Sequence, residues 1–209
     1  MVQEAVGSNP TSHPTCPMMP RHPAARSALF LILAVIYGLP GAATAFWDPL
    51  TAQCQGEPLE GSASAIDGDT LELTTADGGR VVIHLYTLSA PELFQECRDN
   101  AGPWSCGREA RASLDDLVAG REFACTPCGR DGYGALEALC RDGDLDLNAE
   151  VLRSGFATTQ AFFSNALHAA ETQARLAGRG LWRGDWVHPQ AWRDGARLGS
   201  GPCQGCMTP

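Results

Sequence analysis

Apolar and polar positions alternate through residues 62–66, 70–75 and 80–88, and again over 121–125, with β-branched residues at many of the apolar sites. A two-residue period with that composition predicts strands buried on one side. Thr-Ala-Asp-Gly-Gly over residues 75–79 separates the second and third runs and predicts a hairpin. The period then lengthens. Ala110, Leu114 and Leu117 share one face of a predicted helix over 107–120, which Gly120 ends. Gly-Arg-Asp-Gly-Tyr-Gly (129–134) reads as a turn, after which 135–140 returns beside the strand ending at Cys125 and sets Cys140 roughly opposite it. Two more helices are predicted. One covers 148–154 with Gly155 as its stop, and the other covers 164–177 with Ser164 as its cap. Trp182, Trp186 and Trp192 are spaced to cover a core edge rather than to stack on bases.

Three strands, a helix, two strands and then helices is the order of an OB-fold, an α+β chain built on a five-stranded Greek-key barrel. The expected domain is 62–193, preceded by a Pro/Gly-punctuated lead-in over 46–61. A Cys-containing tail over 194–209 is flexible by composition unless a disulfide ties it down. Upstream, Arg21 and Arg26 precede a twelve-residue apolar run, residues 28–39, and Ala43-Thr44-Ala45 offers a cleavage site. Residues 18–45 therefore read as a signal peptide, too short in its apolar part for a membrane span, and 1–17 as an artefact of start-codon choice. The expected location is periplasmic or secreted, without stable membrane association.

Charge narrows the partners. The 209-residue chain carries a formal net charge of −9, and all fifteen of its basic side chains are arginine. It lacks the diffuse positive field of a general polyanion binder, so contact with a nucleic acid has to be local, through a few placed arginines or a metal. The chain has nine cysteines, and setting Cys16 aside with the first segment leaves eight. An even number behind a leader reads as disulfides in an oxidising compartment. Zinc or thiol chemistry at Cys125-Thr-Pro-Cys128 and Cys203-Gln-Gly-Cys206 is the alternative, although their separation is long for one zinc ribbon.

Five ordered motifs carry a more specific resemblance: Ala-Ile-Asp-Gly-Asp-Thr-Leu-Glu-Leu (65–73), Ala-Pro-Glu (90–92), Asp-Gly-Tyr-Gly (131–134), Asp-Leu-Asn-Ala-Glu-Val-Leu-Arg-Ser-Gly-Phe-Ala (146–157) and Gly-Leu-Trp (180–182). Together they resemble the staphylococcal nuclease, or thermonuclease, family. The stretch from Cys97 to Cys106 resembles an insertion of its secreted bacterial members and implies a local disulfide there; Cys125 and Cys140 are the other expected pair. Cys54, Cys128, Cys203 and Cys206 leave three pairings open.

The resemblance implies calcium-assisted phosphodiester hydrolysis, in which charge stabilisation and positioning do most of the chemistry. Carried over by position, Asp69 keeps a metal carboxylate and Glu92 keeps the general base. His84, eight residues before Glu92, occupies the place of one phosphate-gripping arginine, and Ala135 occupies the other. Ser89, three residues before Glu92, stands where a second metal carboxylate is expected. One lost transition-state arginine costs roughly 10³–10⁵ in rate. The expectation is a catalytically impaired pseudo-nuclease with a binding or structural role. A calcium-dependent endonuclease with a remodelled site is the alternative. Arg130, in the turn before Tyr133, is the arginine that could swing inward, whereas Arg80, four residues from His84 on the same strand face, is roughly 13 Å away and too far. No cofactor is expected beyond residual calcium at Asp69. The partners anticipated are weakly bound single-stranded nucleic acid or a protein.

Overall fold

The computed structural model describes residues 53–160 and 164–199. The start-site segment, the leader, the lead-in up to residue 52 and the end of the tail with Cys203 and Cys206 lie outside the described residues. Ten strands and four α-helices are described. The barrel uses β1 (Leu59–Ala65), β2 (Thr70–Thr75), β3 (Arg80–Leu85), β7 (Glu122–Arg130) and β8 (Leu136–Asp142). Hydrogen bonding runs β3-β2-β1-β7-β8, and a parallel β3–β8 pairing closes the ring. This is the expected OB-type barrel in an α+β chain. Short pairs complete it: β4 (Leu88–Ser89) with β10 (Thr158–Thr159), β5 (Cys97–Asp99) with β6 (Gly102–Trp104), and β9 (Leu145–Asp146) on β8.

Alternation does its work on the barrel wall. Leu71, Leu73, Ile83 and Leu85 are fully buried, and Phe123, Cys125 and Cys140 meet them from the opposite strands. Helix α1 (Cys106–Val118) closes one end with Leu114 and Val118. Helix α2 (Leu147–Ser154) adds Leu147, Val151 and Leu152, capped by the Asp146 carboxylate and ended by Gly155 at φ 84°. Helix α3 (Asn165–Leu176) starts at Ser164, whose hydroxyl accepts from the Leu167 amide as its position predicts. A short α4 (Pro189–Arg193), which the hydrophobic pattern does not announce, follows a turn of 3₁₀ helix at Gly180–Arg183.

Two strand boundaries differ from the sequence reading. The third strand does not run to residue 88: it stops at Leu85, and Thr87 turns the chain at φ 66° before β4. A β-branched residue is strained there. The bend is held from outside, since the Thr87 carbonyl accepts from the Gln160 amide at 3.0 Å and the Thr159 hydroxyl at 3.3 Å. The fourth strand, expected to end at Cys125, continues to Arg130, because a register shift between Pro127 and Gly129 accommodates the proline that lacks an amide donor.

Three disulfides join described residues: Cys125–Cys140 across the β7–β8 ladder, Cys97–Cys106, and Cys54–Cys128. The first two are the expected pairs, and the third selects one of the open pairings. Cys125 and Cys128 thus bond to different partners, which removes the first C-x-x-C pair as a zinc or thiol centre. Covalent cross-links of this kind belong to a non-cytoplasmic environment. Among the described residues no helix is long and apolar enough to cross a membrane. Trp104 and Trp186 pack against the Cys97–Cys106 bridge and Leu181, with Trp182 edge-on to Trp186 at 5.3 Å. Trp192 lies instead under the Arg197 guanidinium, 4.0 Å from its ring centre.

Candidate active site

The turn before β2 builds the first acid. Asp67 folds back to accept the amides of Asp69 (3.1 Å) and Thr70 (2.8 Å), the short-range bonding that makes Asp a turn residue. This throws the Asp69 carboxylate inward, where it is 8% exposed. There Asp69 Oδ2 accepts the Ala90 amide at 2.6 Å, a bond across the barrel mouth that the Thr87 bend makes geometrically feasible. Burial alone would raise the Asp69 carboxyl; the His84 imidazole and the Ala90 amide outweigh it and hold it below the ordinary range. Asp67 moves the other way, up to about 6, through burial and then the adjacent charge of Asp69. The sequence reading passed over Asp67, although it stands in the same motif.

His84 faces Asp69 from β3. It pairs with Thr70 in the antiparallel ladder and with Glu137 in the parallel one, so its imidazole projects between the turn at Asp69 and the turn at Asp131. Nε2 stands 3.5 Å from Asp69 Oδ2, and Nδ1 stands 3.7 Å from Asp131 Oδ2. The Nε2 atom is buried without a hydrogen bond of good geometry, so the contact with Asp69 is an ion pair. Asp69 beside it is the main reason the His84 pKa rises to about 8; burial opposes this, and Glu137 and Asp131 add to it. At neutral pH an imidazolium therefore lies between two carboxylates.

Ser89 adjoins Ala90, whose amide bonds to Asp69, and Ala135 bonds to Asp131, which faces His84. Ser89 is 5% exposed and locked by its backbone into the β4–β10 ladder opposite Thr158. Ala135 follows the β7–β8 turn, and its amide donates to Asp131 Oδ1 at 2.8 Å, so the position contributes a methyl and a bond to the turn. Neither substitute arginine reaches the site: Arg80 pairs with Glu72 at 3.5 Å, and Arg130 Nη1 donates to the Gly134 carbonyl at 2.7 Å within its own turn.

Glu92 does meet a guanidinium, from a direction that local sequence does not show. Its loop is pinned by buried Gln95, whose Oε1 accepts the Glu92 amide at 3.3 Å and whose Nε2 donates to the Val187 carbonyl at 2.6 Å. Gly107, at the start of α1, packs so close that a Cβ there would stand 1.8 Å from the Glu92 carbonyl oxygen. On this support Arg193 Nη1, at the end of α4, donates to Glu92 Oε1 at 2.5 Å, while its Nε and Nη2 reach Gln190. The two partners are 101 residues apart in sequence. Among the described residues, no cluster of three or more His, Cys, Asp or Glu side chains has a geometry that could hold a metal.

The model of the staphylococcal nuclease homologue family matches residues 82–184, which run from within β3 through the Glu92 loop, β7 and β8 to the 3₁₀ turn and leave β1, β2 and Asp69 outside the match. Over 143 residues the chain is 38% identical to the succinoglycan biosynthesis protein ExoI of Rhizobium meliloti (strain 1021), covering 66% of this chain and 72% of that protein. The chain belongs to the staphylococcal nuclease homologue family. An uncharacterized endonuclease of Haemophilus influenzae is 26% identical over 61% of this chain and 68% of its own length. Within this family fold, β2, β3 and the Thr87 bend bring Asp69 and His84 together, while Glu92, two residues after the Ala90 that bonds to Asp69, is paired with Arg193 on the pinned loop.

Proposed function

We propose that this member is an exported protein, periplasmic or secreted, whose nuclease-type site is catalytically impaired and which serves in binding, with single-stranded nucleic acid as its weakly held ligand. One observation carries the reading: each surviving acid already has an internal cation. Asp69 faces the His84 imidazolium, and Glu92 is bonded to Arg193. A general base must reach the water whose proton it takes. A calcium ion needs six to eight oxygen ligands, whereas here Asp69 and Asp131 already face His84, Asp67 is tied to the amides of its own turn, and Ser89 stands where a second carboxylate is expected. No guanidinium stands where a phosphate would gather charge, since those positions carry His84 and Ala135. Export is supported by the disulfides and by the leader-like segment.

The test is reversion. Cleavage of single-stranded DNA is measured with and without calcium for the purified protein and for the triple variant His84→Arg, Ser89→Asp, Ala135→Arg. The expected result is no calcium-dependent cleavage by the natural sequence and its appearance in the variant. Calcium-dependent cleavage by the natural sequence that Glu92→Gln abolishes would defeat the reading.

A calcium-dependent endonuclease with a remodelled site is the second reading. Arg193 favours it, being a guanidinium brought to the base position from α4, and the Haemophilus relative's name points the same way. Under that reading Arg193→Ala removes cleavage; under the first there is no cleavage to remove. The Rhizobium relative's name connects that protein to succinoglycan biosynthesis, which sets a polysaccharide as the ligand class to compare with nucleic acid.

A further inference from the structure

Beside Glu92 and outside the positions that carry the family's chemistry, the surface changes sign. Phe94 follows Glu92 by two residues and is 72% exposed. It lines one side of a cavity of about 220 Å³ whose other walls include Arg98 on β5 and Trp192, Arg197 and Leu198 from α4 and the segment after it. Arg108, in the first turns of α1, stands 6.0 Å from the Phe94 ring centre, and Arg193 lies next to Trp192 on α4. Arg98 and Arg108 thus flank one exposed aromatic ring in a chain of net charge −9, while Arg193 is bonded to Glu92 and Arg197 to the Trp192 and Ala196 carbonyls. Arg98 and Arg108 have no ion-pair partner among the described residues. Glu96 lines the same cavity, and Glu92 is bonded to Arg193, so positive charge remains in excess.

The platform is rigid. The Cys97–Cys106 disulfide ties the β5–β6 hairpin to the start of α1. Arg183 lies 3.4 Å over the Trp104 ring and pairs with Asp99 and Glu109, and the Arg98 backbone bridges to Asp185. A surface fixed in this way loses little entropy on binding.

We infer that this cavity and the exposed Phe94 form a binding site for one nucleotide unit of a single-stranded nucleic acid, with the base stacked on Phe94 and the phosphates held by Arg98 and Arg108. The inference rests on the binding reading above and says where on the molecule it resides. Aromatic faces interleaved with guanidinium groups are how sequence-tolerant single-strand sites are made. The cavity is smaller than the roughly 300 Å³ at which drug-sized pockets begin, which suits a single base or phosphate. It also continues the Glu92 loop, so a strand crossing the family site meets Phe94 within about 7 Å of backbone. This is the local arginine contact that the acidic, lysine-free composition requires.

The test uses the intact, disulfide-bonded chain, with a fluorescein-labelled oligothymidylate followed by anisotropy in EDTA, so that cleavage plays no part. Phe94→Ala should weaken binding roughly 5- to 150-fold, the worth of one stacked base. Arg98→Gln should lower the slope of log affinity against log salt by about 0.7, one phosphate contact on a single strand. Both side chains are exposed, and unchanged circular dichroism and melting midpoints confirm intact folds. The inference is overturned if both variants bind as the natural sequence does, or if a labelled alginate oligomer binds at this surface and the oligothymidylate does not. Because binding and cleavage are read separately, an active nuclease would end the impaired-site reading and leave this one standing.

Discussion

Replacing His84 by glutamine should flatten the dependence of stability on pH through neutrality. In the folded protein the imidazole sits 3.5 Å from Asp69 Oδ2 and 3.7 Å from Asp131 Oδ2, and its pKa rises from 6.5 to about 8. The folded state therefore holds a proton that the unfolded chain releases, and stability must fall as pH increases between those two values. The contribution is complete below 6.5 and lost as pH rises through about 8. Its size follows from about 1.4 kcal/mol per pKa unit, giving about 2 kcal/mol over the interval. The side chain is only 26% exposed, so solvent screening does not erase it. His188 does not interfere, because burial lowers its pKa and confines its effect to more acidic solution. Urea unfolding across about pH 6.5 to 8.5 reads the effect directly, since 2 kcal/mol at ordinary denaturant slopes moves the midpoint by about 1 M. The natural sequence should lose that midpoint as pH rises, and His84→Gln should not. Equal losses in both, or no loss in the natural sequence, would refute the imidazolium between two carboxylates.

Three further outcomes concern the frame that holds the site. Asn148 is fully buried, accepting the Cys140 amide at 3.2 Å and donating to the Tyr86 carbonyl at 3.1 Å. Asn148→Ala strands both groups and should cost about 2–4 kcal/mol, read as a lower melting midpoint with faster amide exchange at Cys140. Removing the Cys54–Cys128 bridge, whose ends are 74 residues apart, with a double serine variant should cost about 4 kcal/mol in urea unfolding on the loop-entropy argument. Gly155→Ala puts a Cβ 2.4 Å from the Arg179 carbonyl oxygen at φ 84°. With rigid backbone on both sides it should destabilise by at least about 2 kcal/mol, against the few tenths usual at an exposed surface site.

The sequence determined the barrel because the barrel depends on local rules. Period-two alternation sets the inner face of β2 and β3, Asp77-Gly78 closes their hairpin, and Ser164 and Gly155 mark helix ends by bonds formed within a few residues. Asp69 and Glu92 stand out as candidates for the same reason, being set in short ordered motifs. The environment of those acids was not. Arg193 reaches Glu92 across 101 residues, and Asp131 reaches His84 only because β8 runs parallel to β3; no periodicity in the chain encodes either approach. The bend at Thr87 was likewise hidden, since a threonine in the left-handed region goes against its own preference and is held there by Thr159 and Gln160. Which charges are paired is a matter of long-range proximity in a low-dielectric pocket, and only the closed tertiary structure decides that.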